Sequence, residues 1–317
     1  MIDAVVLGRA GVDLTPPSPR TTLADATSFV RAVGGYGGNV STGLARLGVA
    51  TAIVSAVGGD GHGAHVRGAL AREGIDVRGL VRRPGSATQV AFFEAWPPET
   101  FPVTFHRDRP APETRLVPGE LDGELLVHAP LVLVSGALLA EEPARATVLG
   151  ALRARRGAAG PAATTILDLD WRPTLWPDPA DAPIVVADAI RLADVVIGSD
   201  DEFAAHRLDP AAVLALGARV VALKHGSGGS SVMTDDGART VDGIRVEVVC
   251  GLGAGDAFAA AFAAGLLAGL DPVTSLARGN AAGAIVASRL MCSAAMPTAT
   301  EIDALLSSRA AAAGTSA

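Results

Sequence analysis

The residue best placed to do chemistry is Asp256, which follows the small-residue run Gly253-Ala254-Gly255 and opens the apolar stretch Ala257-Phe258-Ala259-Ala260-Ala261-Phe262. Without bulky side chains, the backbone N–H groups of Gly253, Ala254 and Gly255 can converge on an anion, and a helix N-terminus adds partial positive charge there. Amides for a developing charge and an acid for an attacking hydroxyl are the pair that phosphoryl transfer needs. The same acid would also serve as a plain helix cap. Val248-Val249-Cys250 reads as the strand that feeds this turn.

Other polar residues fall where a ligand would meet them. Asp13 follows the apolar strand Ala4 to Leu7, at the end of a strand where open parallel sheets bind ligands, and either grips a hydroxyl or caps a turn. Gly34-Gly35-Tyr36-Gly37-Gly38-Asn39 leads into a helix from Val40 to Leu47; its glycines allow close backbone approach, and Asn39 offers a donor and an acceptor to a polyol, or caps the helix. Arg107, at the end of a strand from Val103, points towards a substrate or towards solvent. Arg172 can hold a carboxylate bidentately or pair with Asp168 or Asp170. Ser199-Asp200-Asp201-Glu202 and Lys224-His225-Gly226 mark further strand ends, and Asn280, alone in a helix of small residues, faces a nucleotide base or water. His62 and His65 lack a third ligand nearby and read as surface or capping residues.

These residues need a scaffold, and the pattern supplies one. From Leu131 strands and helices alternate: strand Leu131 to Ser135, helix Pro143 to Arg156, strand Thr165 to Leu169, a helix around Asp188, then strands Asp194 to Ile197 and Arg219 to Leu223. Such alternation predicts a doubly wound, mostly parallel α/β sheet with polar groups converging on one rim. A hairpin turns about Asp235-Asp236-Gly237. Earlier, Gln89 to Glu94 and Val103 to Arg107, with Val12 to Leu14 and parts of Thr21 to Val30, form a small added sheet, a lid drawn from about 9–34 and 87–110. Helices Ala257 to Leu270 and Val273 to Leu290 can pack closely through small residues. Residues 1–306 read as one domain and 307–317 as a disordered tail.

Composition narrows the partners. A chain of 317 residues with 49% hydrophobic and 19% charged residues buries a large core, and a net charge of -7 without basic runs argues against nucleic acid or an anionic membrane. Two cysteines cannot build a disulfide framework and suit a reducing cytoplasm. The apolar start reads as a strand, not a signal peptide, and the run Ala257 to Leu270 is too short to span a bilayer.

Taken together, the glycine motif ending at Asn39 and Gly253-Ala254-Gly255-Asp256-Ala257-Phe258 resemble the paired signatures of the ribokinase, or PfkB, carbohydrate kinase family, over Ile2 to Leu306. Gly8 to Leu14, Phe101 to Arg107, Leu167 to Pro173 with Leu175-Trp176, and Cys292 to Thr298 are similar to the branch acting on a keto-deoxy sugar acid of inositol catabolism. The resemblance implies a ribokinase-like fold with a β-sheet lid, ATP with Mg²⁺ as donor, and a terminal C6 hydroxyl as acceptor. By position it makes Asp256 the base and Gly253, Ala254 and Gly255 the anion hole, with Asp13, Gly35 and Asn39 on substrate hydroxyls. It sets Arg107 and Arg172 at the acid end of the sugar, Ser199, Lys224, Gly226 and Asn280 on the nucleotide, and Glu202 behind the metal. Cys250-Gly251 replaces the family's common Asp-Thr, part of a monovalent-cation site, and leaves potassium activation open; Ser199 replaces the usual Asn of its motif. A homodimer through the lid is a further expectation. The rivals are kinases of 2-keto-3-deoxygluconate, fructose or a nucleoside and, in another class, a non-catalytic sugar or nucleotide sensor. A nicotinamide dehydrogenase lacks its G-x-G-x-x-G fingerprint.

Overall fold

Both faces of the first strand are apolar, and that sets the architecture. In β1 (Ala4–Leu7), Val5 and Leu7 join one buried cluster and Ala4 and Val6 another, so the sheet around it must be covered on both sides. A computed structural model of the chain describes residues 1–158, 160 and 162–314. The strands that follow are β2 (Gly11–Thr15), β3 (Val30–Gly34), β4 (Thr51–Gly58), β5 (Leu80–Arg83), β6 (Val90–Phe93), β7 (Val103–His106), β8 (Leu131–Ser135) and β9 (Thr164–Asp168). β10 (Val195–Ser199), β11 (Val220–Lys224), β12 (Gly229–Thr234) and β13 (Gly237–Asp242) complete them.

Nine of these strands form one sheet in the order β13-β12-β11-β10-β9-β8-β1-β4-β5, antiparallel only at β11–β12 and β12–β13. β1 lies between β8 and β4, with Ala4 in register with Leu131 on one side and Thr51 on the other. The helices are α1 (Tyr36–Arg46), α2 (Gly61–Arg72), α3 (Gly123–His128), α4 (Ala144–Ala158), α5 (Ala182–Ile190), α6 (Asp200–Ala205), α7 (Pro210–Ala215), α8 (Ala254–Leu267), α9 (Pro272–Ala287) and α10 (Ala299–Gly314). α4 and α5 cover one face through Val148, Leu152 and Val186; α1, α8 and α9 cover the other through Leu44, Phe258, Phe262 and Leu276. Gly265 and Gly279 let α8 and α9 approach closely, since a side chain at Gly279 would meet the Phe258 ring.

A separate four-stranded sheet, β3-β2-β6-β7, is built within 9–34 and 87–110. No strand occurs in the described stretch 21–29; the segment from Thr21 contributes only from Val30 onward. Two other expectations need correction. Val248 to Cys250 is not a strand: the sheet ends at β13, and the N–H groups of Val249 and Cys250 both bond the Ala287 carbonyl at the end of α9 instead. The tail expected to be irregular from Ser307 is helical as far as Gly314, as its run of alanines favours, and 315–317 lie outside the described residues. Among the described residues no helix is long and apolar enough to cross a membrane.

Candidate active site

The carboxyl ends of β1, β8, β9, β10 and β11 share one rim, and β1, flanked by β8 and β4, is where the chain's winding reverses direction. Ligands bind at such a switch point in open α/β sheets. Two clefts meet there at the N-terminus of α8. One, of about 270 Å³, lies under the small sheet and is lined by Asp13, Gly35, Asn39, Arg172, Gly253 and Asp256. The other, of about 470 Å³, is lined by Lys224, Gly226, Gly251, Ala254, Gly255 and Asn280.

Gly253 caps α8 in the left-handed conformation, φ 83°, with no side chain to satisfy the first amides. The Ala254 N–H makes only a long bond of 3.4 Å to the Gly251 carbonyl, and among the described residues those of Gly253, Gly255 and Asp256 have no acceptor. Unpaired donors at a helix N-terminus can receive an anion, and these lie between the two clefts. The Asp256 carboxylate accepts a 2.6 Å bond from Asn39 Nδ2. Burial, and then the nearby Asp170 carboxylate, raise its pKa, as a proton acceptor requires.

Asn39 is not in a loop. α1 begins at Tyr36 behind Gly35, φ 80°, so Asn39 sits in the helix body and turns into the cleft. The glycines permit this: a Cβ at Gly37 would lie 2.7 Å from the Gly8 carbonyl oxygen. Among the described residues its Oδ1 is buried without a partner, as are Gln89 Oε1 and the Tyr36 hydroxyl. Such orphans await a ligand's hydroxyls. Asp13, in strand β2 and not in a turn, is 7% exposed; burial lifts its carboxyl to about 6, and a bond from the Cys292 thiol pulls it back only in part.

Arg172 takes the ion pair foreseen with Asp170, Nη2 to Oδ1 at 3.3 Å, yet its side chain stays 43% exposed in the cleft. Arg107 does not reach the cleft. Its guanidinium is 7% exposed and 3.0 Å from Glu113, and it borders a different cavity with Arg109 and Glu141. A charge buried this deeply needs a counter-ion, and Glu113 supplies it away from the site. Arg9, in contrast, was not singled out and lines the cleft beside Arg172. Its signal was a charge separated by one residue from a fully buried strand; Gln89 carried no comparable signal.

On the second cleft, Lys224 Nζ lies 3.4 Å from Asp168 and 3.6 Å from Glu202, and these carboxylates hold it protonated against burial. Asn280 donates to the Val241 carbonyl at 3.1 Å, which fixes its amide at the cleft wall. Ser199 is not among the residues lining this cleft; it caps α6 in a reciprocal pair with Glu202. Glu202 accepts from Trp171 N at 2.9 Å and Ser199 N at 2.7 Å, so both oxygens are engaged. Among the described residues no trio of His, Cys, Asp and Glu forms a metal cluster. Mg²⁺ would fit here through phosphate oxygens of the nucleotide, with one or two carboxylates of the rim at most. Cys250 does not fit a cation: burial pushes its thiol up to about 11, and it packs with Ala32, Phe93 and Met291, with Phe101 and Leu252 against the same cluster. Gly251 completes that packing, since a Cβ there would lie 2.9 Å from the Phe101 ring.

An α/β sheet whose rim holds a buried carboxylate, unpaired amides and two adjoining clefts suits a kinase of small polyols, and the chain belongs to the pfkB family of carbohydrate kinases, which residues 1–299 match. It is a phosphotransferase acting on a sugar hydroxyl. It is 35% identical over 311 residues to the 5-dehydro-2-deoxygluconokinase of Photobacterium profundum, covering 94% of this chain and 92% of that one. In ribokinase-like fold it is similar to a putative ribokinase II of E. coli in complex with ATP and Mg²⁺, TM-score 0.85 at 23% identity over 97% and 99% of the two chains. It is similar also to a fructokinase double mutant of Vibrio cholerae O395 with fructose, ADP and potassium ion, TM-score 0.84 at 23% identity over 96% and 98%.

Proposed function

We propose that this chain transfers the γ-phosphate of ATP to the C6 hydroxyl of a keto-deoxy sugar acid, with 5-dehydro-2-deoxy-D-gluconate as its substrate. The observation that carries this reading is the content of one cleft: a proton acceptor, Asp256, beside unpaired amides, and a half-exposed guanidinium, Arg172, among hydroxyl-binding groups. Arg172 keeps Asp170 as its partner, and a sugar acid, unlike a neutral sugar, would add a carboxylate to its exposed part. The relative from Photobacterium profundum supports the same substrate.

In this reading the sugar lies in the first cleft with its hydroxyls on Asp13, Asn39 and the Gly35 backbone. Asp256 accepts the C6 proton as that oxygen attacks in line, and the Gly253, Ala254 and Gly255 amides receive the charge that develops on the phosphoryl group. Lys224, Gly226 and Asn280 hold the nucleotide in the second cleft. Mg²⁺, when bound, neutralises phosphate charge; Glu202 orders the rim behind it. The small sheet is the lid that excludes water, and the two buried thiols suit the cytoplasm.

A coupled ADP-release assay over sugar acids, neutral hexoses and nucleosides tests the substrate class, with 5-dehydro-2-deoxy-D-gluconate expected to give the highest kcat/KM. Preference for fructose or a nucleoside over every acid would overturn it. In the same assay Asp256→Asn should lower kcat by about 10²- to 10⁴-fold while calorimetric ATP binding persists. A variant with near-normal turnover would remove Asp256 from the role of base.

A further inference from the structure

Arg9 is a charged side chain with 5% exposure, set where β1 gives way to β2. Its Nη2 donates to Asp170 Oδ2 at 3.1 Å, but among the described residues its buried Nε finds no acceptor, although Arg9 lines the sugar cleft. The Phe105 ring lies under the guanidinium, 6.0 Å from Cζ to centroid, and limits its freedom. Asp170 joins Arg9 to Arg172: Oδ2 takes Arg9 and a 2.6 Å bond from Ser135, while Oδ1 faces Arg172. Its backbone is at φ 36°, a left-handed conformation that a non-glycine residue keeps only where its surroundings enforce it. One carboxylate thus holds two guanidiniums side by side. Asp13 and Asp256 line the same cleft, so its net charge does not call for an anion; what invites one is local, the unpaired Nε of Arg9 beside the exposed part of the Arg172 guanidinium.

We propose that Arg9 and Arg172, spaced by Asp170, together receive the substrate carboxylate, and that Arg9 is the residue that makes this site select an acid over a neutral sugar. The inference rests on the sugar-acid reading above and names the partner of Arg172 that Arg107 does not supply. The unpaired Nε is the donor it assigns to a carboxylate oxygen, with Arg172 on the other, in the two-point recognition that a planar guanidinium favours.

The test is the ratio of kcat/KM for 5-dehydro-2-deoxy-D-gluconate to that for D-fructose, in wild type, Arg9→Gln and Arg9→Lys. A ratio is insensitive to the fraction of enzyme that folds. Removing one hydrogen bond to a charged group should lower the ratio by about 10- to 100-fold in Arg9→Gln. A smaller fall is expected in Arg9→Lys, which keeps the charge for Asp170. If both variants lose rate on the two substrates in equal proportion, Arg9 only props Asp170 and the proposal is overturned. Should the wild type itself prefer fructose, the sugar-acid reading fails first, before any variant is compared, and the clamp fails with it.

Discussion

Burial lifts the Asp13 carboxyl from 3.8 to about 6. A folded-state pKa above the unfolded value favours the fold fully below pH 4, and that contribution is lost as pH rises through 6. At pH 8 the ionised form therefore costs up to about 3 kcal/mol. Asp13→Asn should raise the Tm at pH 8, with the gain gone by pH 4, while kcat/KM for the sugar falls at least about tenfold as a charged acceptor for a hydroxyl becomes a neutral amide. An equal Tm change at both pH values would show that charge burial is not the cause. Residues such as Asp256 and Asn39 were legible because glycines around them announce a backbone that something approaches. Arg107 was misplaced for a plain reason: alternation along β7 tells which face a side chain takes, but nothing local reveals Glu113 waiting beyond the strand.

At the scale of elements, the turn before α8 depends on Gly253. A Cβ there would sit 2.9 Å from Cys292 Cβ and 3.0 Å from its Cα, in a left-handed backbone that side chains resist. Gly253→Ala should cost about 1–3 kcal/mol, read as a lowered Tm, and lower kcat by displacing the amides. Unchanged kcat in a variant with a lowered Tm would detach the amides from the chemistry. β8 was legible to the residue, because a short β-rich run between turn signals in a βα alternation admits few other readings. Val248 to Cys250 has the same β-rich composition but no neighbouring strand, and pairing is a property of the fold that three residues cannot carry. The start of α1 was hidden likewise: Tyr36 to Gly38 is a poor helix by propensity, and Gly8, distant in sequence, makes its close passage possible.

Across the whole molecule, alternation of strand and helix made the large sheet readable, whereas the meeting of its two clefts depends on contacts between residues more than two hundred positions apart, as from Asn39 to Asp256. Such pairs leave no periodic trace. One cluster of this kind reaches further: Ala32 and Phe93 from the small sheet share an apolar cluster with Cys250, and Phe101 rests on Gly251. On the proposed reading, sugar seating the small sheet and nucleotide ordering the turn would act on the same packed contacts. Their binding free energies should then be linked, and linkage is reciprocal. Calorimetry should find ADP bound about 5- to 100-fold more tightly with saturating sugar, the sugar tightened by ADP to the same extent, and the factor reduced towards one in Phe101→Ala. A factor of one in the wild type would mean that the two clefts, though they touch, do not communicate. If the factor is large, the enzyme holds nucleotide weakly until the acceptor arrives, and water is a poor competitor for the phosphate because the site that would activate it is not yet assembled.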